Sequence, residues 1–489
     1  MELFIILLIP VIVTFVCIIP VKGYMLSARA TIIGSFAVLV VSSSMAFAPG
    51  LSAHGGPIAF GGWLFCDGFS ALIVLLVSFV GFTASLFSLG YMKRMETEME
   101  TEHEPGQFRI YYALYNLFLL SMLAVPIFSN VALVWIAVEL TTLLSVFLVG
   151  FENSSEALEA AWKYVVLTCM GAAIALVGVL ILYWGLRLTG TDQFTWSQLF
   201  HAAPEMQPVF LKTAFLFILI GFGTKAGLVP LHTWLPDAHS QAPSPVCALL
   251  SGIETTTALY IIIRLVPLMT TISGNMASPW LITFGMISVG TAAFLLIQVK
   301  DYKRLFAFST IEHMGIILVA VGLAGSAANL GAVSQIVAHT ITKSFCFFAA
   351  GATLLVTGTR DISRVRGLIR TSPAAGAALL VGGFAIAGAP PFAVFVSEFS
   401  IIRAGLAAGH YLVIGGLVLF IVIAFCGIMS HINGMVFGVP LEKTAAKPVL
   451  PAACKFALAI AVVPVVLFGI YYPHAIHTLM QFAALSMGR

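Results

Sequence analysis

The chain has 489 residues and carries only 23 Lys+Arg and 20 Asp+Glu, 9% of the sequence, against roughly a quarter in a soluble domain. Residues of the AVILMFWYC set make up 60%, and the mean hydropathy is +1.06. Those values exclude a soluble globular protein, a disordered or collagen-like chain and a disulfide-stapled secreted module, and leave a polytopic membrane protein.

The net charge of +3 and the lack of any basic patch give no support to a nucleic-acid partner. Seven cysteines (Cys17, Cys66, Cys169, Cys247, Cys346, Cys426, Cys454) are scattered without a CxxC pair. Most lie in apolar runs as small hydrophobes, so no iron–sulfur or zinc site is expected. The first apolar run follows Glu2, and its first cation, Lys22, comes after it. A secretory signal has its positive charge before the apolar stretch, so this segment reads as a retained first helix.

A spanning helix needs about 20 apolar residues. Fourteen such spans are predicted, starting near residues 2, 29, 68, 110, 131, 160, 210, 243, 279, 304, 328, 374, 411 and 453. Connections are short except for an acidic loop from Lys93 to Arg109 and an amphipathic one over about 187–209. Loops after spans 1, 3, 5, 9, 11 and 13 hold fifteen Lys and Arg, among them Lys22, Lys163, Lys300, Arg304, Arg360, Lys443 and Lys447. Loops after even spans hold four: Arg187, Lys212, Arg264 and Arg403. The bias puts the odd loops in the cytoplasm and both termini outside.

Two spans are broken by Gly and Pro: FGTKAGLVPLHTWLP (222–236) in span 7 and FAIAGAPPFAVFVSEF (384–399) in span 12. They lie five spans apart, and an odd offset reverses topology. The expectation is two inverted five-helix repeats, 110–270 (spans 4–8) and 279–435 (spans 9–13), inside one integral membrane domain over 1–489. A break inside the bilayer frees backbone groups that must face protein or water, which points to an ion or substrate path. Ordinary proline kinks are the simpler alternative.

A charge in mid-membrane costs about 2.5–3.5 kcal/mol on insertion scales, yet several are kept. Glu139 is in the middle of span 5, Lys225 at the break in span 7, Glu254 in span 8, Lys343 in span 11 and Glu398 beyond the break in span 12. Glu312 and His313 are in span 10, and His339 shares a helix face with Lys343 four residues later. His232 and His239 follow the span 7 break. An acid and an amine in low dielectric tune one another by their separation. With Glu139 close to Lys225 both stay charged, and drawing them apart lets the lysine release its proton. Histidines between such groups can relay protons through water. The bland readings are a structural ion pair at Glu139 and Lys225, packing histidines at 313 and 339, and a loop-shaping His232. Likewise Glu254 could face a water-filled cavity and Glu398 interfacial water. Asp67, at the start of span 3, reads as an N-cap or interfacial group.

The run TKAGLVPLHTWLPDAHSQAPSPVCALLSG (224–252) resembles the signature of the antiporter-like proton-pumping subunits of respiratory complex I. That family includes subunits of Mrp-type Na⁺/H⁺ antiporters and of membrane-bound group 4 [NiFe]-hydrogenases. DYKRLFAFSTIEHMG (301–315) and AHTITKSFCFFAAG (338–351) match two further family motifs, and the resemblance spans essentially all fourteen helices. The SPV after DAHSQAP and the Glu in IEHMG resemble the F component of hydrogenase-4-type complexes most. By what the resemblance implies, Glu139 and Lys225 are the essential helix 5 and helix 7 pair. His239 and His313 are then relay histidines, Lys343 the helix 11 lysine and Glu398 the exit residue of helix 12. One departure stands out: the family's central helix 8 lysine falls at Thr256, which cannot hold a proton on its own.

The sequence thus reads as an all-α bundle of fourteen transmembrane helices in a bacterial or archaeal cytoplasmic (inner) membrane. The resemblance implies a non-catalytic subunit that translocates protons, or Na⁺, beside other membrane subunits and a peripheral redox arm. No cofactor is expected in this chain; the partner subunits would carry the [NiFe] and iron–sulfur centres. A complex I subunit, an Mrp-type antiporter subunit without electron transfer, a haem carrier using His313 and His339, and a non-conducting scaffold remain the competing readings.

Overall fold

The computed structural model describes the chain except for residues 21–22, 54, 99–105, 272–275, 441–448 and 489. Lys22, Lys443 and Lys447 of the loop-charge argument, and much of the acidic segment near residue 100, lie outside the described residues. The chain opens with α1 (Glu2–Ile18) and α2 (Met25–Ala46), then a short hairpin of β1 (Ile58–Ala59) and β2 (Leu64–Phe65). There follow α3 (Gly68–Glu98), α4 (Gln107–Ile127), α5 (Val131–Val149) and α6 (Ser155–Arg187). A surface helix, α7 (Trp196–Ala202), leads to α8 (Pro208–Ala226) and the short α9 (Trp234–Gln241). Next come α10 (Ser244–Leu249), a π-helical turn (Leu250–Glu254) and α11 (Thr255–Thr270), which form one continuous rod. The second half contains α12 (Ala277–Gln298), α13 (Tyr302–Leu323), α14 (Ser326–Thr357), α15 (Leu368–Thr371), α16 (Pro373–Ile386) and α17 (Ala393–Ala407). It closes with α18 (Tyr411–Phe437), α19 (Ala452–Ile470) and α20 (His474–Ser486).

Against fourteen predicted spans, twelve described helices are long and apolar enough to cross a membrane. The two that fall short are α1, with 17 residues, and α16, with 14. The second is short because the predicted break divides its span, leaving α17 as the other half. Residues 93–98, expected in a loop, extend α3 instead.

The layering is the reverse of a soluble protein's. The α10–α11 rod is buried throughout, and α13 and α14 are almost as enclosed, whereas α2, α6, α18 and α19 turn most of their surface outward. Outward residues are apolar, such as Ile33, Phe147, Trp162 and Leu412, as lipid contact demands. Inside, helices meet through small and hydroxyl residues. A Cβ on Gly285 would lie 2.7 Å from the carbonyl oxygen of Gly315, and the reverse holds equally, so α12 and α13 touch backbone to backbone. Gly171 of α6 sits as tightly on Gly221 of α8. Ser35 with Ser85 (2.9 Å) and Ser42 with Ser78 (2.8 Å) tie α2 to α3 by hydroxyl pairs.

Caps mark where several helices begin. Asn130 accepts the N–H groups of Ala132 and Leu133, Ser154 that of Ala157, and Asp301 those of Lys303 and Arg304. Asp67 caps α3 through the Ser70 N–H (2.9 Å), as its position suggested, and does more. Arg264, counted above as a loop cation, is buried inside α11 and grips Asp67 with both terminal nitrogens (2.6 and 2.9 Å). It also donates to Ser70 (2.8 Å) and to the Tyr260 hydroxyl (2.9 Å), and stacks near the Trp196 ring. This network pins one end of α11 to α3, roughly 15 Å along the helix from Glu254.

Arg264→Gln leaves Asp67 buried and unpaired, and is expected to cost about 3–5 kcal/mol. Thermal unfolding in detergent should show a marked loss, partly recovered in the double variant Asp67→Asn/Arg264→Gln. An unchanged melting temperature in the single variant would remove the anchor role.

Candidate functional site

Three interruptions of helical hydrogen bonding define the interior. At the first, α8 ends on Gly227 in the left-handed region (φ +79°), with the Leu228 N–H closing on Gly223 O (2.8 Å). The indole N–H of Trp234 donates to Thr224 O (2.8 Å), and the Val229 N–H finds the Ser288 hydroxyl (3.1 Å). The second is the π turn at 250–254, which the sequence pattern does not signal. Its Ser251 carbonyl accepts from His339 Nε2 (3.1 Å) and from Thr255 (2.8 Å); its Gly252 carbonyl accepts from Thr340 (2.9 Å) and Thr256 (3.1 Å). The third follows α16, where Gly388 (φ +75°) turns the chain and His313 Nε2 donates to Ile386 O (3.2 Å). The carboxylate of Glu398 lies directly over Gly388, in the space a Cβ would occupy.

Around the first two breaks lies a buried ion pair. Lys225 Nζ is 2.8 Å from Glu254 Oε1, and both side chains are almost wholly excluded from the surface. The same oxygen accepts from the Tyr164 hydroxyl (2.8 Å) and from Thr141 (3.0 Å). Lys225 also donates to the Thr142 hydroxyl, and Tyr164 shares a hydrogen bond with Ser145 (2.7 Å). Glu254 Oε2 is buried with no protein partner.

The expected pairing of Glu139 with Lys225 is not what forms; the lysine's carboxylate partner is Glu254. The reason is helical phase. The inward stripe of α5 runs through Val134, Val138, Thr141, Thr142 and Ser145, and Glu139 falls off it. Glu139 is half-buried beside Cys169, with Oε2 unpartnered.

A second cluster fills the space between α9, α13, α14 and the break after α16. Lys343 Nζ donates to Phe306 O (2.6 Å) and to the Ser309 hydroxyl, and takes part in no ion pair among the described residues. Glu312, His313, His339 and His239 are buried near it, within reach of its charge. Glu312 Oε2 has no protein partner. Each histidine gives one ring nitrogen to a backbone carbonyl: His239 Nδ1 to Leu235 O (2.8 Å), His339 Nε2 to Ser251 O and His313 Nε2 to Ile386 O. An accepting carbonyl makes that nitrogen the protonated one, leaving the other as an acceptor. In His239 and His339 the second nitrogen is buried and unpartnered. In His313 it receives the Gln335 side-chain amide (3.2 Å), whose oxygen in turn accepts from Ser397, the neighbour of Glu398. The rings of His313 and His339 are in contact, with centroids 5.3 Å apart, so no macrocycle fits between them as a haem site would need. Among the described residues no group of three His, Cys, Asp or Glu could hold a metal ion.

His232 stands apart: it is half-buried at the first break, its Nδ1 has no partner, and it bonds to none of the other candidates. Thr256 is buried and bonds only within its own helix. The functional neighbours that sequence alone does not single out are Thr141, Thr142, Ser145, Tyr164, Ser309, Gln335 and Ser397. A hydroxyl stripe at helical spacing on α5 was the available signal.

Comparison with known proteins agrees with this geometry. Residues 128–424 match the family described as NADH:quinone oxidoreductase/Mrp antiporter, transmembrane. The chain belongs to that family. Residues 59–100 match a second description, NADH-ubiquinone oxidoreductase (complex I), chain 5 N-terminus. The chain is 39% identical to a hydrogenase-4 component F homologue of Methylacidiphilum infernorum, over 71% of this chain and 73% of the relative. It is 27% identical to NADH-quinone oxidoreductase subunit N of Desulforudis audaxviator, over 92% and 89%. A chain of the archaeal membrane-bound sulfane sulfur reductase superimposes with a TM-score of 0.86 at 25% identity, covering 99% of this chain and 97% of that one.

Tyr164→Phe removes a charge-assisted donor from Glu254 and is expected to cost about 1.5–3 kcal/mol. Thr256→Ala should cost less than about 1 kcal/mol, because its hydroxyl only back-bonds along its own helix. Thermal unfolding of both variants checks the order, and equal losses would give Thr256 a partner that the geometry does not.

Proposed function

We propose that the chain is a proton-translocating, antiporter-like subunit of a redox-driven membrane complex of the hydrogenase-4 and formate hydrogenlyase type. The observation that carries this reading is the fully buried Lys225–Glu254 pair, followed deeper in the bundle by a second lysine, Lys343, that has no carboxylate bound to it among the described residues. Burying charge in hydrocarbon is costly, and a chain that spends it on two separate lysines within one bundle has a use for movable charge. The likeness to the hydrogenase-4 component F homologue supports placing it in that kind of assembly.

In the closed pair the ammonium of Lys225 is compensated by Glu254, itself fixed by Tyr164 and Thr141. Moving Glu254 away leaves an uncompensated charge in low dielectric, which favours passing the proton on toward the next acceptor. His339 and His239 each offer a buried acceptor nitrogen on the side of Lys343. Glu312 and Glu398 lie beyond, at the break after α16. Glu398, buried over Gly388, is placed at the exit, and Ser397 beside it in sequence bonds through Gln335 to His313. Glu139 and His232, away from these contacts, are placed at the edge of the route, on the approach to Lys225. The chain's part is to hold and move protons. Electron transfer, with the [NiFe] and iron–sulfur centres it requires, belongs to partner subunits of a peripheral arm.

The two breaks support the inverted-repeat reading of 110–270 and 279–435. Each ends a helix on a left-handed glycine, Gly227 or Gly388, with a titratable side chain against it or two residues before it. The excess of cations in odd loops supports a cytoplasmic (inner) membrane location in a bacterium or archaeon, with both termini outside.

In inverted vesicles carrying the native complex, Lys225→Ala and Glu254→Gln are expected to lower redox-coupled proton uptake by at least about tenfold. Assembly should remain intact, and Glu139→Gln should lose less than either. Dye quenching on substrate addition measures uptake, and blue-native gels check assembly. Undiminished uptake in Lys225→Ala and Glu254→Gln would overturn the proposal, and a loss only in Glu139→Gln would restore the pairing expected from sequence.

A further inference from the structure

A groove of about 510 Å³ opens where the C-termini of α9 and α12, the start of α13 and the loop after α14 converge. Lys300, Arg304 and Arg360 line it, with Asp301 as the single carboxylate. That carboxylate is already engaged. Its Oδ1 accepts the N–H groups of Lys303 (2.7 Å) and Arg304 (3.2 Å), and its Oδ2 accepts the Ser240 hydroxyl (2.6 Å). Arg304 reaches outward to Asp237 (2.7 Å), which it shares with Lys163 (3.1 Å). Arg360 uses one terminal nitrogen on Ser240 O (2.6 Å) and Gln241 Oε1 (2.8 Å). Lys300 is exposed and forms no ion pair among the described residues. The adjacent Asp361 is held by the N–H (2.8 Å) and hydroxyl (2.7 Å) of Ser363.

The remaining lining is apolar. Leu295, Val299 and Phe308 form the wall, and on the outer flank of α12 Phe294 and Ile297 are 55% and 49% exposed. An excess of positive charge at a helix end, opening onto an apolar slope that faces the bilayer, fits an amphiphile with an anionic head. We propose that this groove holds the phosphate of an anionic phospholipid on Lys300, Arg304 and Arg360, with the acyl chains lying along α12. A soluble anion would leave the apolar slope without a purpose, and an acidic protein segment would have no use for its exposure to lipid.

The site does not depend on the proton route, although its walls belong to the elements that carry His239, His313 and Lys343. A headgroup seated there would bridge the C-terminus of α9, α13 and the loop after α14, bracing their mutual spacing at the membrane surface.

The test is native mass spectrometry of the full-length chain released from detergent, titrated separately with phosphatidylglycerol, phosphatidylcholine and inorganic phosphate. Phosphatidylglycerol should be retained one per chain. Lys300→Glu, which changes an exposed side chain and should fold normally, should weaken retention by about tenfold. The double variant Lys300→Gln/Arg360→Gln gives an independent check. Equal retention of phosphatidylcholine, or full retention of phosphatidylglycerol by Lys300→Glu, would overturn the proposal. Displacement by millimolar inorganic phosphate would reassign the groove to a free anion. Cross-linking of Lys300 to an acidic segment of another subunit in the native complex, with no lipid retained, would make it a protein interface instead.

Discussion

Inside a bilayer a backbone carbonyl released from its helix has no water to turn to, and the cost of leaving it bare is several kcal/mol. This chain releases carbonyls at three places: after Thr224, within the π turn at 250–254 and around Ile386. In each case a side chain from another element adds a hydrogen bond to the carbonyl, beside the local bonds from the Gly227 N–H to Thr224 O and from Thr255 and Thr256 to Ser251 O and Gly252 O. Trp234 covers Thr224, His339 and Thr340 cover Ser251 and Gly252, and His313 covers Ile386. Two of the candidate relay histidines are therefore also structural plugs. Their bound nitrogens are fixed by the fold; the second nitrogen is unpartnered by the described residues in His339 and accepts from the Gln335 amide in His313. That arrangement sets the tautomer and the orientation of both neutral rings.

The same economy governs the ion pair. A buried pair repays its desolvation only when the geometry is close and the remaining lone pairs are satisfied. Glu254 Oε1 meets that condition, with Lys225, Tyr164 and Thr141 all converging on it. Oε2 has no partner among the described residues. The asymmetry separates this pair from Asp67–Arg264, where both carboxylate oxygens are engaged by the guanidinium and Ser70 and Tyr260 add further bonds. The two pairs sit on the same rod, ten residues apart. An anchor at the far end gives any movement near Glu254 a fixed point to work against.

Much of the architecture was legible because hydropathy and Gly–Pro punctuation are strong local signals. The helix starts, the two breaks and the candidate residues within the membrane were all readable from periodicity and from the rarity of charge. Two kinds of feature were not. The first is helical phase near a distortion: the choice between Glu139 and Glu254 depends on which way α5 and the π turn rotate their side chains, and neither rotation is set by spacing alone. The second is the neutral partner. Thr141, Tyr164 and Gln335 look like ordinary membrane-helix residues until the folded bundle brings them against a carboxylate or an imidazole. Arg264 was misplaced for a related reason, since an arginine near the end of an apolar run reads as a loop residue unless its counter-ion, nearly two hundred positions away, is known to face it.

The π turn also bears on Thr256, where the resemblance implies a lysine. In an undistorted helix, positions 254 and 256 point to nearly opposite sides, so an acid at one cannot replace an amine at the other. Here the turn that ends at Glu254 presents its carboxylate to α5, α6 and α8, while Thr256 bonds back into its own helix at Gly252. At the position where the resemblance implies a lysine this chain has a hydroxyl, and the titratable group of this helix, Glu254, faces Lys225. Between the Lys225–Glu254 cluster and Lys343, the π turn places the bonded hydroxyls of Ser251 and Thr310. A hydroxyl can pass a proton but cannot keep one. On the proposed reading, that middle stretch is a crossing rather than a station, and the two lysines on either side of it are the groups that can hold a proton.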